Sequence, residues 1–273
     1  MLNFTTEKQG KLSKLALIQF EGLSFSAIQK LLRNKDVKVN GKRISKDITL
    51  QKGDVVDLYY TINENKKFDK IYLDDNILVV AKKKGFTSES VFQSVQVEYP
   101  TSFFIHRLDR NTDGIMVFAL NQVANTELLK GFKNHTFIKT YLACVYGKME
   151  KKNDILTAYL VKDKENALVK IYNSPIKGAV QIKTGYEVLS QTGNQSKLLV
   201  RLYTGKTHQI RAHLAHIGHF ILGDGKYGDN EINKSLGINK QMLTSYKLTL
   251  KFDENSPLYY LNNQSFCIST GDN

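Results

Sequence analysis

The stretch FFIHRLDRNTDGIMVFAL, residues 103–120, has an apolar run at each end and one polar knot between them. The pattern predicts two buried strands, FFIH and GIMVFAL, joined by a tight loop. Short apolar runs bounded by turn residues are what strands covered on both faces look like. Asp113-Gly114 reads as an ordinary turn. Asp109 differs, because Arg107 lies two residues before it and Arg110 one residue after it. Nearby cations keep a carboxylate ionised. An anion in a basic loop should repel a polyanion, so its presence asks for a chemical reason.

Outward from this loop, ILVVA (77–81), FIKTYLACVYG (137–147), VQIKTGYEVL (180–189) and KLLVRLY (197–203) read as further strands. Helical stretches fall near 121–132 and 207–217. Strands in runs, with helices that do not strictly alternate, predict a mixed α+β domain over a Rossmann-type one. Alternation in FIKTYLACVYG places Lys139, Tyr141, Ala143 and Val145 on one strand face. Core packing is the default reading of Tyr141 from pattern alone.

In 207–217, Ile210, Leu214 and Ile217 make the apolar stripe, and Arg211 lies beside it where a helix meets a sheet. On pattern alone Arg211 forms a structural ion pair with a nearby acid. Lys206 and the first free helix N–H groups offer a seat for a phosphate. TGKT (204–207) ends like a nucleotide-binding P-loop, but Val200 stands where that loop needs glycine. His208, His213, His216 and His219 are expected on the polar side of the helix, facing solvent or RNA. Without an HExxH arrangement or a second ligand pattern, they are not read as a metal site.

Residues 1–60 form a separate basic unit, with eleven Lys and Arg against six Asp and Glu. KLSKLAL puts Leu12, Leu15 and Ala16 on one helical face. A second helix begins at SFSAIQKLLRNKD, where Ser26 and Gln29 match a capping box and Ile28, Leu31 and Leu32 form the buried stripe. In VKVNGKRI, Val37 and Val39 alternate with lysines and Asn40-Gly41 supplies a hairpin turn. QKGDVVDLYY adds a Gly53-Asp54 turn and a closing strand. The basic residues gather on the second helix and the hairpin, at Lys30, Arg33, Lys35, Lys38, Lys42 and Arg43. TINENKKFDK, residues 61–70, is polar, unpatterned and read as a linker.

The 273 residues carry a net charge of +13, and 41% of them are apolar. That apolar share argues against overall disorder, and no apolar run approaches the length of a membrane-spanning helix. RNA, DNA or anionic lipid are the natural partners of such a charge. MLNFTTEKQG does not read as an export signal, and the two isolated cysteines, Cys144 and Cys267, suggest a reducing cytoplasm.

HRLDRNTDG (106–114), KTYLACVYG (139–147) and TGKTHQIRAHLAHIGHFILGDGKYG (204–228) together closely resemble the motifs of the RluA-type pseudouridine synthases. DDNILVVAKKKGF (74–86) and QMLTSYKLTL (241–250) resemble that family's flanking motifs, so the likeness spans nearly all of 71–260 in order. LSFSAIQKLLRNKDVKVNGKRI (23–44) resembles the S4-type RNA-binding module, which presents two helices and a hairpin to structured RNA. The chain departs from these patterns at a few places. Lys11 replaces an arginine, Lys82-Lys83-Lys84 a lysine-proline pair, Asp113 a serine, and Thr244 a histidine.

The resemblance implies an S4-type domain over 1–60, a linker over 61–70 and a catalytic domain over 71–273 with a mixed, largely antiparallel sheet. It implies a monomer that isomerises uridine to pseudouridine in structured RNA, most readily large-subunit ribosomal RNA, with transfer RNA as the alternative. Asp109 would be the essential carboxylate, Arg211 its ion-pair partner, and Tyr141 a partner of the uracil and the late base. Ile210 would wall the base pocket and Arg107 would replace the flipped nucleotide in the RNA helix. His106, Lys206, His208 and Gln209 belong to the same motifs and are expected at the substrate. Moving the N1–C1′ bond to C5–C1′ involves no net redox change, so no cofactor is expected. Two rival classes are a non-catalytic RNA-binding protein that keeps the fold, and a glycoside or nucleoside hydrolase. The hydrolase usually needs a second carboxylate.

Overall fold

The computed structural model of the chain describes residues 1–20, 23, 25–60, 66–163, 165 and 168–269. It divides into two compact units, Met1–Lys66 and Lys67–Asn273.

The first unit runs β1 (Leu2–Thr5), β2 (Gly10–Lys11), α1 (Leu12–Gln19), α2 (Phe25–Arg33), β3 (Val37–Val39), β4 (Lys42–Ile44), β5 (Thr49–Leu50) and β6 (Val55–Leu58). Its main sheet has the order β1-β6-β3-β4, and β2 pairs with β5. Leu12, Ala16, Ile28, Leu31 and Leu32 pack with Phe4, Val37, Val39, Val56 and Leu58, so both helical stripes find the same core. Asn40 and Gly41 take φ of 49° and 78°, the left-handed pair that a two-residue hairpin turn requires. Because α2 starts at Phe25, Ser26 is its second residue and not its cap. The Ser26 side chain lies outside the described residues.

The second unit continues with β7 (Phe68–Leu73), β8 (Ile77–Lys82), α3 (Ser88–Glu98), β9 (Phe103–Phe104), β10 (Asp113–Ala119), α4 (Gln122–Lys133) and β11 (Ile138–Tyr146). β12 (Asn153–Asp163), β13 (Leu168–Tyr172), β14 (Val180–Thr192), β15 (Gln195–Leu202), α5 (Gln209–His216), α6 (Asn230–Ser235), β16 (Leu243–Thr249) and β17 (Ser265–Cys267) complete it. The sheet order is β13-β12-β14-β15-β11-β16-β10-β8-β7, with β17 beside β16 and β9 beside β10. This is the mixed α+β domain that the strand pattern predicts, with the largely antiparallel sheet that the resemblance implies; β10 and β16 pair in parallel.

The centre of the sheet is covered on both faces. Leu78, Val80, Met116 and Phe118 enter one core, while Ile77, Val79, Ile115 and Val117 enter the other. That is why ILVVA and IMVFA carry no polar alternation. Gly114, with φ of 112°, is the second residue of β10, at the point where it approaches β16. A Cβ there would stand 2.1 Å from the Ser245 carbonyl oxygen.

Two expectations change. The last three residues of the segment read as a linker, Phe68 to Lys70, are strand. Phe68 is buried in the core while Asp69 and Lys70 face out, as charged residues on an edge strand do; residues 61–65 lie outside the described set. FFIH keeps only two residues of strand, Phe103 and Phe104, which pair with Ala119 and Phe118. Beyond them the chain turns into the 105–112 loop.

Candidate active site

The 105–112 loop is held from both sides. Leu108 points inward and is 5% exposed. Its N–H donates to Ser88 Oγ at 2.8 Å, and the same hydroxyl donates back to the Leu108 carbonyl at 2.9 Å. His106 stacks on Phe132 with ring centroids 4.4 Å apart, and its Nε2 accepts the Val117 N–H at 3.1 Å. Burial, then the charge of Lys139, pushes its pKa down to about 3, so His106 is a neutral clamp. The buried Lys82 ammonium donates to the carbonyls of Phe86 at 2.8 Å and of Lys83 and Arg110 at 3.1 Å. These bonds fix the backbone on either side of Asp109.

The sequence neighbours of Asp109 are not its partners. Arg107 is exposed and its Nη1 lies 3.4 Å from Glu89 Oε1. Arg110 Nε donates to the Gly85 carbonyl at 3.0 Å. Inward Leu108 separates the directions of its flanking residues, so the two arginines diverge from the carboxylate. The partner is Arg211, whose Nη1 donates to Asp109 Oδ2 at 2.8 Å. His208 Nε2 lies 3.9 Å from Asp109 Oδ1.

Arg211 is itself gripped by Asp224, which sequence reasoning missed. Nε and Nη2 of Arg211 donate to the two oxygens of Asp224 at 2.7 and 2.9 Å. Asp224 is fully buried and also accepts the N–H groups of Lys226 and Tyr227. Burial works against both charges. The mutual bonds outweigh it, so the Asp224 pKa is lowered and that of Arg211 raised. The guanidinium also lies 5.2 Å from the centroid of the Tyr227 ring. Tyr227 OH bonds His208 Nδ1 at 2.8 Å and accepts the Val169 N–H at 2.9 Å.

Helix α5 delivers Arg211 because it is buried on nearly every side. Ile210 and Leu214 join the main core, while Ala212 joins Ala158, Leu160, Val169 and Ile182. The expected polar histidine face does not exist as such. His213 is 1% exposed and bonds Thr184 Oγ1 at 3.0 Å. His216 bonds Asn173 Oδ1, and His219 bonds the Tyr146 carbonyl. The four histidines therefore take separate partners. Gln209 is also committed to the scaffold. Its amide donates to the Lys183 carbonyl and Thr184 Oγ1, and its Oε1 accepts from Thr204 Oγ1 and the Lys206 N–H. It ties the 204–207 turn to β14 and has no free donor to offer a substrate, contrary to the expectation from its motif.

A cleft of about 330 Å³ opens at this point, lined by Arg107, Asp109, Lys139, Tyr141, Lys206, His208, Ile210 and Arg211 among others. Tyr141 projects from β11 on the face it shares with buried Ala143 and Val145. Burial pushes its pKa up to about 12, opposed by a hydrogen bond with Ser245 and assisted by the Asp109 charge. The cleft therefore holds a carboxylate, a neutral phenol, an apolar wall at Ile210 and exposed cations at its rim, Lys206 and Arg107. Three of the departures from the family pattern meet nearby. Thr244 Oγ1 donates to Asp113 Oδ1 at 2.6 Å, and Lys84 Nζ lies 3.7 Å from the same oxygen.

Residues 76–216 match the family model described as RNA pseudouridylate synthase. The chain is 27% identical to ribosomal large subunit pseudouridine synthase C of Haemophilus influenzae over 93% of this chain and 88% of that one. It is 34% identical to the dual-specificity RNA pseudouridine synthase RluA of Yersinia pestis over 59% of this chain and 82% of that one. The human RNA pseudouridylate synthase domain containing 1 superposes with a TM-score of 0.60 at 25% identity, covering 66% of this chain and 77% of the other. With its motifs assembled around one cleft and more than half its length matched, the chain belongs to the RNA pseudouridylate synthase family, in the RluA-type branch.

Proposed function

We propose that this isomerase acts on large-subunit ribosomal RNA, and that Asp109, Arg211 and Tyr141 carry its chemistry. The observation that carries the reading is the 2.8 Å bond from Arg211 Nη1 to Asp109 Oδ2 inside a cleft that also holds Tyr141. Breaking N1–C1′ leaves the ribose with oxocarbenium character, and an ionised carboxylate at close range can stabilise or trap it. Asp109 either attacks C1′ or removes a sugar proton to give a glycal; both routes need the carboxylate charged. Ile210 walls the base. The target base must leave its stack at a cost of a few kcal/mol, which an arginine entering the vacated place partly offsets. Arg107, which is exposed and lines the cleft, is proposed as that arginine. Lys206 at the rim suits a phosphate, and His208 approaches Asp109.

The rivals fit less well. A non-catalytic RNA binder has no need to keep all three groups together. A retaining hydrolase needs two carboxyl groups about 5 Å apart facing the substrate. The second carboxylate here, Asp224, is fully buried with both oxygens on Arg211. Ribosomal RNA is favoured by the name of the Haemophilus relative, and the Yersinia relative keeps transfer RNA as a second candidate. Mapping pseudouridines in both RNA classes from a strain lacking this protein tests the target. A site missing from the large ribosomal subunit supports the proposal, and one missing only from transfer RNA replaces it.

Tyr141 is proposed as the group that takes the C5 proton. With its pKa near 12 it is neutral at working pH, so it accepts that proton only by passing its own to a nearby carboxylate such as Asp109. Tyr141→Phe keeps the ring and loses the hydroxyl. It should leave RNA binding nearly unchanged and stall ordinary uridine after glycosidic cleavage. RNA carrying 5-fluorouridine has no C5 proton to lose, so the variant should rearrange it at a rate comparable to wild type. Pseudouridine formation at the wild-type rate would make Tyr141 a packing residue.

The first unit is proposed as an S4-type RNA-binding domain that supplies affinity, with the enzyme working as a cytoplasmic monomer. Lys30, Arg33, Lys35, Lys42 and Arg43 are exposed. Lys38 and Arg43 sit opposite each other across β3 and β4, and both approach the Tyr59 ring, at 5.1 and 5.9 Å from its centroid. Tyr59, 42% exposed, adds an aromatic to the basic patch that charge counting alone overlooked. A chain of residues 67–273 should bind structured RNA more weakly and with a flatter salt dependence, because fewer counterions are released. An unchanged affinity and salt slope would refute this role.

A further inference from the structure

We propose that the cleft holds a phosphate seat centred on the Lys139 ammonium, and that it takes a phosphodiester group flanking the target uridine. The inference rests on reading the cleft as the uridine site. Lys139 lies two residues before Tyr141 on the same face of β11, beside Leu202 of β15. Its Nζ reaches the 204–207 turn, where a Cβ on Gly205 would stand 3.5 Å from it. Lys206 and His135 line the same cleft.

The charges of the cleft are unevenly matched. Asp109 and Arg211 are balanced through the Asp109–Arg211–Asp224 chain. Lys139 has no such partner among the described residues. Among the described residues no carboxylate forms an ion pair with Lys139, and no carbonyl accepts from its ammonium. The contrast with Lys82 is instructive, since that ammonium spends its donors on three carbonyls. Burial lowers the Lys139 pKa, with no acid opposing the shift. The His135 pKa is lowered by burial and then by Lys139 and Lys206, so the three groups share one field.

A half-buried ammonium without a partner costs stability in the free protein, so its retention calls for a ligand. A neutral carbonyl of uracil would satisfy one donor but leave the accumulated charge. A phosphodiester supplies both acceptor oxygens and a negative charge. In the cleft that also holds the carboxylate for C1′, the seat would fix the sugar relative to Asp109.

The test compares the full-length wild type with Lys139→Met, using uridine 3′,5′-bisphosphate and uridine as probes in low-salt calorimetry. Wild type should prefer the bisphosphate by about tenfold or more, as a bond to a charged group implies. Lys139→Met should bind uridine as wild type does and lose most of that preference. Its thermal midpoint should be equal or higher, because the unpaired charge is gone, and Lys139→Arg should recover part of the preference. No preference in wild type, a full preference in Lys139→Met, or a midpoint lowered by several degrees would each overturn the seat. If wild type prefers the bisphosphate yet makes pseudouridine in no RNA, the assigned reaction fails and the seat stands. If it makes pseudouridine without any preference, the seat alone fails.

Discussion

Asp109→Asn is expected to abolish pseudouridine formation, lowering the single-turnover rate at least ~10³-fold, while RNA affinity is nearly unchanged. The substitution keeps the volume and one acceptor oxygen, so the side chain can still meet Arg211 Nη1. The guanidinium also keeps both bonds to Asp224. Neither the loop nor the helix loses its anchor, since Ser88, Lys82 and His106 hold the loop through other atoms. The fold should therefore survive with a small loss of stability. What disappears is the negative charge that must face a cationic ribose, or the basic oxygen that must take its proton. Substantial turnover by a pure variant, verified free of wild type, would remove Asp109 from the reaction.

The sequence made this residue visible for a partly mistaken reason. Asp109 stands out in the chain because arginines flank it, yet Arg107 and Arg110 point to Glu89 and Gly85. Its true partner comes from a helix 102 residues away. Local charge pattern cannot show which way loop side chains turn; that depends on Leu108 going inward to Ser88. Arg211 illustrates the converse. Its two readings, a structural pair with a nearby acid and the partner of a catalytic acid, look like alternatives in the sequence. The planar guanidinium satisfies both, with Nε and Nη2 toward Asp224 and Nη1 toward Asp109.

Elements buried on both faces were legible, because nothing else makes runs such as ILVVA. The N-terminal hairpin was legible because only Asn-Gly-type pairs take two left-handed positions cheaply. Helix α3 was not. SESVFQSVQVE is rich in serine and valine, which favour other states, and it is a helix because Val91 and Val95 pack into the core and Thr87 caps Ser90 N–H. Edge strand β13 and its neighbour β12 mix exposed and buried positions, so they lack a continuous apolar signal. Gln209 is expected at the substrate because it belongs to one of the family's motifs. Only tertiary structure shows that its donors are already spent. Asp113 and Thr244 looked like two unrelated departures from the family pattern, and their mutual hydrogen bond makes them one.

Asp224→Ala should have the largest effect on folding, a loss of about 3–5 kcal/mol, with activity falling as well. Asp224 is fully buried and Arg211 is 6% exposed, so removing the acid leaves a guanidinium short of its main counter-charge and the N–H groups of Lys226 and Tyr227 without an acceptor. The prediction separates structure from chemistry when two further proteins are compared. Asp224→Asn keeps the volume and an acceptor for those N–H groups, so it should fold better than Asp224→Ala. It still frees Arg211 to rotate and should lose turnover beyond its loss of stability. The double variant Arg211→Met, Asp224→Leu removes the buried charges together, so denaturant midpoints should recover much of the loss while pseudouridine formation stays absent. The acid limb gives an independent check. The Asp224 pKa is lowered in the folded protein, so its contribution is complete above the unfolded value near 4 and is lost as pH falls toward the folded value. Stability of the double variant should therefore fall less steeply below about pH 4 than that of wild type. If Asp224→Ala folds like wild type and keeps its rate, the orientation of Arg211 does not depend on the second carboxylate, and the catalytic pair stands on Asp109 alone.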